Sequence, residues 1–300
     1  MDNNEELKKK WTKIQENYIQ KLNLDPEIEI DNLHYIGGVD ISFFKSDETK
    51  AVAALVVLDI NNLKKPVYSE YQLVTLEFPY ISTFLAFREV PSFLQLFKNL
   101  QEKKPDLMPD ITLVDGCGIL HPRKMGSATH LSLALAEELN IVMPTIGVAK
   151  ELLYVDGLER DSVKKKYYEE LEKGEFKSSL IGKSSTIYGY AVRSTNKSKN
   201  PIYVSPGNLI SCESAVNICR HVSLYRIPEP IRVADLGSRD VVRNILQKQK
   251  KEKEEKEKEK EKEEKEKEEK EKEKEKEKEK EKEKEKEKEE EEEEEKEKEK

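Results

Sequence analysis

The sequence predicts an α/β protein, a single mixed sheet with helices on its faces, followed by a charged tail. Three observations predict it. Apolar-rich strand patterns follow one another over residues 34–76, separated by short connections bearing Asp, Asn and Lys. Helical and strand patterns then alternate from 88 to 149. Residues 251–300 hold only Lys and Glu, with no apolar side chain from which to build a core. The expected organisation is a folded domain over 1–248 and a low-complexity tail over 249–300, solvated as coil or helix.

The segments "HYIGGVDISFF" (34–44), "AVAALVVLDI" (51–60) and "PVYSEYQLVTL" (66–76) read as an antiparallel meander. "REVPSFLQLFKNLQEKK" (88–104) carries Phe93, Leu94, Leu96, Phe97 and Leu100 at helical spacing, with Pro91 placed in its first turn. "ITLVD" (111–115) is a fully buried strand, "SATHLSLALAEEL" (127–139) a helix capped by Ser127, and "VMPTIGVA" (142–149) another strand. Beyond these, "SSTIYGYAVRS" (184–194) and "NPIYVSPG" (200–207) are strand-like. "SCESAVNICRHVSLYR" (211–226) is amphipathic with the Ser211 hydroxyl as its cap, and a last helix starts near Ser238. There is no internal repeat.

The tail's 21 Lys and 29 Glu account for the whole formal charge of −8, so the folded part is neutral and an acidic partner such as nucleic acid is not excluded. The apolar run 51–58 is far shorter than the roughly 20 residues a bilayer requires, and the charged N-terminus lacks the apolar region of a signal peptide. No membrane association is expected. Cys117, Cys212 and Cys219 have neither a disulfide framework nor zinc-ligand spacing, which suits a reduced, cytoplasmic protein.

The acidic residues carry the functional argument. Asp40 sits inside the first strand, Glu89 opens the first long helix, and Asp115 ends the fourth strand. A carboxylate within an apolar strand is costly unless it is paired or metal-bound. The first and fourth strands are neighbours in many sheets of this element order, so Asp40 and Asp115 could share a divalent cation with Glu89 brought to the same place. Oxygen donors suit Mg²⁺, with Mn²⁺ as the alternative, and such a site serves phosphodiester hydrolysis. Read singly, Asp115-Gly116 is also a turn pair, Asp40 a bulge or strand-end residue, and Glu89 a residue favoured by the helix dipole.

Two flanking segments fit that chemistry. Gly116 and Gly118 would let the backbone approach a flat ligand or would only shape a turn, and Arg123 in His121-Pro122-Arg123 offers a guanidinium suited to phosphate. "FPYISTFLAFRE" (78–89) crowds Phe78, Tyr80, Phe84 and Phe87 onto a connection stiffened by Pro79. Aromatic side chains there could stack on bases, or fold over a satellite core.

Taken together the chain resembles the endonuclease V family, in its eukaryotic branch. The resemblance rests on "GGVDISF" (37–43), "PYISTFLAFREVP" (79–91), "VDGCGILHPRKMGSATHLSL" (114–133), "TIGVAKELLYVDG" (145–157), "YVSPGN" (203–208) and "YRIPEPIRVADLGSRD" (225–240). It implies an RNase H-like fold and Mg²⁺-dependent cleavage at the second phosphodiester 3′ of inosine, leaving a 3′-hydroxyl and a 5′-phosphate. It further implies Asp40, Asp115 and Glu89 as metal ligands, Lys150 near the scissile phosphate, and Tyr80, flanked by Pro79 and Ile81, as a wedge replacing a flipped base. The loop from Gly116 to Pro122 then holds hypoxanthine, with His121 and Arg123 beside it.

The chain departs from the family pattern at Asn208, where the family has His, and at Thr83, where it commonly has Gly. Asn208 is expected to orient water in the catalytic set, and Asp235 is a further acidic candidate. The partner is inosine-containing RNA, DNA or both, the expected state a monomer, and the expected compartment the cytoplasm, with a nuclear or nucleolar pool as alternative. A deoxyinosine repair nuclease and a non-cleaving reader of inosine-containing strands are the competing readings.

Overall fold

The computed structural model of the protein describes residues 3–298. The chain forms two compact units, Met1–Val242 and Arg243–Lys300. The elements in order are α1 (Asn3–Ile19), β1 (Tyr35–Phe44), β2 (Asp47–Asp59), β3 (Asn62–Thr75), α2 (Leu85–Lys103), β4 (Ile111–Asp115), α3 (Ser127–Leu139), β5 (Thr145–Ala149), α4 (Arg160–Glu172), β6 (Lys177–Ile181), β7 (Ile187–Val192), β8 (Ile202–Asn208), α5 (Cys212–His221) and α6 (Glu229–Lys298).

The strands form one eight-stranded mixed sheet in the order β3-β2-β1-β4-β5-β8-β7-β6. The expected meander is β1 to β3, antiparallel throughout, while β1, β4 and β5 run parallel. The run 51–58 is buried on both faces because its side chains alternate between two cores. Ala54, Val56 and Leu58 face a core shared with Ala215, Val216 and Ile218 of α5 and Ile231 and Ala234 of α6. Ala53, Leu55 and Val57 face one shared with Phe93, Leu96 and Phe97 of α2 and Leu131 and Leu135 of α3. Each Val or Leu fully withdrawn from water contributes about 1.5–3 kcal/mol, so this doubly covered strand anchors its end of the sheet.

Several local expectations change. The α2 helix begins at Leu85, three residues before the expected start, which puts Glu89 in its second turn and Pro91 inside the helix. A proline there lacks the N–H that would bond the Phe87 carbonyl. Gly126, not Ser127, precedes α3, and no side chain caps that helix. The Ser211 hydroxyl does cap α5, accepting from the Ser214 N–H at 3.1 Å. The last helix starts at Glu229, nine residues before Ser238, with Pro230 in the first turn where a missing N–H is harmless.

Within the second unit the chain is helical to Lys298, and the first Lys-Glu pairs lie at i,i+4, among them Lys253 with Glu257 at 3.8 Å. Strict alternation would put like charges at that spacing. The doubled Glu254-Glu255 shifts the phase and makes the pair possible. No described helix is both long and apolar enough to cross a membrane.

Candidate active site

Strand register joins the first two carboxylates. Val39 of β1 lies opposite Val114 of β4, so Asp40 and Asp115, the next residue on each strand, stand side by side, about 4.8 Å apart across a ladder. Both alternate onto the face shared with Ile36, Ile111 and Leu113, the face that α5 and α6 cover. Val148 of β5 is paired with Asp115, and Lys150 follows two residues later. Its ammonium donates to Asp115 Oδ2 at 2.5 Å.

The third carboxylate comes from α6. That helix lies directly on β1 because residue 38 is glycine: a Cβ there would stand 2.2 Å from the carbonyl carbon of Pro230. The close approach brings Asp235, in the second turn, onto the first two. One carboxylate oxygen from each of Asp40, Asp115 and Asp235 lies within 4.8 Å of the others. A donor set made only of oxygens fits a hard divalent cation of the Mg²⁺ or Mn²⁺ kind. Arg239 pairs with Asp235 at 2.7 Å, one turn along the helix.

Two buried hydroxyls support the group. Ser238 Oγ is 3.3 Å from Asp40 Oδ2 and 3.0 Å from the Asp235 carbonyl, and Ser42 Oγ is 2.7 Å from Ser238 Oγ. With one proton, Ser238 serves one acceptor at a time, and the Ser42 hydroxyl can donate to it in turn. Neither serine announces itself in the sequence, because a buried serine on a strand or helix looks like any other.

The electrostatics are those of a site short of positive charge. Burial, then the like charges of Asp115 and Asp235, push the Asp40 carboxyl up to about 7, with Lys150 opposing. Burial works against the Lys150 ammonium, yet Asp115 through charge and hydrogen bond, with Asp235 and Asp40 behind it, holds its pKa above the ordinary lysine value. Glu89 lies in α2, on the opposite face of the sheet, and so stands outside the close group of three. It is fully buried. That burial, followed by the charges of Asp40 and Asp115, pushes its carboxyl up to about 8, while Arg88 and a hydrogen bond from Ser127 pull the other way.

The aromatic segment divides between its two readings. Phe78, Phe84 and Phe87 pack on Trp11 of α1, Phe87 stacked at 4.8 Å and Phe78 edge-on at 5.1 Å. Tyr80 is 62 % exposed, and its neighbours Pro79 and Ile81 stay partly or wholly in solvent. Thr83 takes φ +66°, the left-handed region, where a β-branched residue carries strain of order 1–3 kcal/mol. A glycine would sit there freely.

Three other sequence-predicted residues lie along the sheet from the acidic group or turn into the protein. Asn208 pairs with Thr145 at the start of β5, whereas Asp115 pairs with Val148 near its end. Asn208 therefore lies three residues, roughly 10 Å, towards the other end of the sheet. Its buried amide accepts from the Asn23 N–H at 2.9 Å and donates to Ser132 Oγ at 3.2 Å, so it belongs to the scaffold and not to the acidic group. Gly118 makes room for the chain itself, since a Cβ there would meet the Pro206 carbonyl oxygen at 2.0 Å. Its N–H donates to Ser205 Oγ at 2.8 Å. At Gly116 a Cβ would make only ordinary contact with Ser127. Arg123 turns inward, donating to the Thr83 carbonyl at 2.7 Å and to Gln15 Oε1, so its guanidinium is committed within the protein. His121 is buried beside it with its pKa lowered to about 4, by burial first and the Arg123 charge second.

Comparison with known proteins agrees with the residue-level reading. The family model for Endonuclease V matches residues 16–236. Endonuclease V of Mus musculus is 50% identical over 214 residues, which cover 71% of this chain and 61% of the mouse protein; the chain thus spans about three fifths of that relative's length. The crystal structure of the catalytic domain of human Endonuclease V superposes with a TM-score of 0.73 at 40% identity, covering 81% of this chain and 98% of that one. Ciona intestinalis Endonuclease V, solved with a 23mer DNA containing an inosine followed by a ribo-adenosine, gives 0.75 at 33% identity, covering 82% and 99%. The family match over most of the folded region, on the same strands and helices that gather the carboxylates, shows that this chain belongs to the endonuclease V family.

Proposed function

We propose that the protein is a divalent-metal-dependent endonuclease that cuts single-stranded RNA at the second phosphodiester 3′ of inosine, leaving a 3′-hydroxyl and a 5′-phosphate. One observation carries it: carboxylates from β1, the end of β4 and the second turn of α6 meet within 4.8 Å, with an ammonium bound to one of them. A pure binding surface has no use for three acids pressed together against their own repulsion.

Asp40, Asp115 and Asp235 would hold the ion, which when bound supplies Lewis-acid stabilisation of developing phosphate charge and a water of lowered pKa. The residues divide the remaining work. Asp115 holds the Lys150 ammonium at the edge of the group, where it can neutralise a phosphate oxygen. The Ser42–Ser238 pair keeps Asp40 oriented from behind. Glu89 sits across the sheet end, its carboxyl pushed above the ordinary carboxylate range by burial and then by the charges of Asp40 and Asp115. Tyr80 projects into solvent from a loop pinned at both sides, as a side chain that fills a gap in a base stack must.

The strand in the Ciona complex is a DNA with a ribo-adenosine after the inosine, so a 2′-hydroxyl is present at that one position. The test uses matched inosine-containing RNA and DNA strands, with Mg²⁺, with Mn²⁺ or with EDTA, beside Asp40→Ala and Asp115→Ala. Cleavage of the RNA alone, abolished by EDTA and by either substitution, is expected. Cleavage of DNA alone would select the repair nuclease, and binding without cleavage would select the reader.

A further inference from the structure

We infer that Arg123 is a positioning residue for the Tyr80 loop: its guanidinium fastens a strained Thr83 to α1 and to the loop after β4, so that Tyr80 is presented in one fixed orientation. The inference deepens the reading of Tyr80 as a nucleic-acid contact and rests on it only for its effect on substrate.

The geometry is that of a clamp. Arg123 Nη2 has two N–H groups. One donates to the Thr83 carbonyl at 2.7 Å and the other to Thr83 Oγ1 at 2.9 Å. Its Nε–H donates to Gln15 Oε1 of α1, and its charge lies 4.2 Å from the Phe84 ring centroid. The same Thr83 carbonyl is 2.9 Å from His121 Nε2, while His121 Nδ1 accepts from the N–H groups of Arg123 and Met125 at 3.2 and 3.3 Å. Those partners fix the tautomer: Nε2 carries the proton and gives it to Thr83. Both lone pairs of one carbonyl are thereby occupied, on a residue held at φ +66°.

Thr83 is where the loop would otherwise relax. A threonine left to itself leaves the left-handed region, and Tyr80, three residues earlier in the chain, would move with it. The chain has a single tryptophan, and that residue is buried against Phe78, Phe84 and Phe87 on both flanks of Thr83. Trp11 emission is therefore an internal reporter of the loop.

The experiment compares wild type with Arg123→Gln, Arg123→Lys, Thr83→Ser and Thr83→Gly, by Trp11 emission without nucleic acid and by steady-state cleavage of an inosine-containing RNA strand. Arg123→Gln should shift Trp11 emission to longer wavelength and raise KM about tenfold while kcat stays within about threefold, the pattern of lost uniform binding. Arg123→Lys should show only part of both effects, and Thr83→Ser, which keeps both acceptors, should stay close to wild type. Thr83→Gly should raise KM about threefold without lowering Tm, because relief of strain offsets the lost hydroxyl contact. If Arg123→Gln fails to fold, the Thr83 pair carries the comparison. Unchanged KM in folded Arg123→Gln and Thr83→Gly, or unchanged emission in folded Arg123→Gln, would overturn the inference, as would a fall in kcat at constant KM. A wild type that cleaves no inosine-containing strand would sink the proposed function instead, and the Trp11 shift would still judge the clamp.

Discussion

The two sides of the site are built by different means. The acidic side is made of backbone: β1 and β4 in register, α6 lying against Gly38, each carboxylate fixed by a regular element. The aromatic side is made of side chains: a loop held to α1 and the β4–α3 connection by one guanidinium, one imidazole and an aromatic cluster. Strain is stored differently as well. On the acidic side it is electrostatic, between like charges that a cation would relieve; on the aromatic side it is conformational, at Thr83. The chemistry is thus mounted rigidly, while the presentation of Tyr80 can be tuned by single side chains.

The sharpest way to break the acidic side is to remove an acid. Asp40→Asn or Asp235→Asn should lower cleavage about a thousandfold, since a metal held by the wrong donor loses several kcal/mol of charge stabilisation. The same Asp40→Asn change should stabilise the metal-free protein at pH 8, where the buried carboxylate is charged. The sign follows from the direction of the shift. The Asp40 pKa is raised from 3.8 to about 7, so its contribution to stability is fully present below 3.8 and is lost as pH rises through 7. Denaturant melts with EDTA at pH 5 and pH 8 measure this; a wild type equally stable at both, with no gain on substitution, would mean the charges are not crowded.

Gly38→Ala tests the mounting itself, with a smaller effect on rate and a larger one on structure. The added methyl meets Pro230 backbone at 2.2 and 2.3 Å, which no rotamer can avoid. Overpacking of this kind costs about 1–3 kcal/mol and should lift α6, and with it Asp235, off β1. Weaker Mn²⁺ binding by calorimetry together with a lower Tm is expected; unaltered Mn²⁺ affinity would show that Asp235 reaches the site without the close approach.

These tests also show what the sequence makes legible. Asp40 and Asp115 could be read because a strand has period two, and neighbouring parallel strands align whatever ends them. Asp235 is harder to read, because a helix start expected near Ser238 leaves it in a loop. The Glu229-Pro230 pair carried the true start signal. The place of Asn208 is harder to read, because its motif lies on an antiparallel strand, and nothing in a single sequence tells which end of the sheet such a strand's last residue reaches. The α1 helix is obscured in the sequence although Leu7, Trp11, Ile14 and Tyr18 follow helical spacing; dense charge around them masks a face that buries Trp11 and Tyr18. Likewise Arg123 looked like a phosphate ligand because its inward partners, Gln15 and Thr83, are far away in the chain.

Asn208→His separates scaffold from chemistry at still smaller cost. Asn208 is 4 % exposed and both ends of its amide are bonded. An imidazole cannot reproduce both bonds at the same positions, so stability should fall by about 1 kcal/mol. The rate should stay within about threefold, as Asn208 lies roughly 10 Å along the sheet from Asp115. A gain in turnover of orders of magnitude would return residue 208 to the catalytic set.

Removal of residues 249–300 should change least. From 251 onward the segment offers only Lys and Glu, and it buries no apolar surface of its own. Its described ion pairs, such as Lys250 with Glu254, join lysines about four-fifths exposed, and pairs so exposed contribute at most a few tenths of a kcal/mol to their own helix. We propose that the folded domain ends before residue 249, so the truncated chain should keep its Tm within about two degrees and its cleavage rate within about twofold. The far-ultraviolet helical signal per residue should fall, because a long helix is lost with nothing else. A drop in Tm of many degrees would instead make the tail part of the folded domain, and the contrast between a backbone-mounted acidic side and a side-chain-mounted aromatic side would then need a third support.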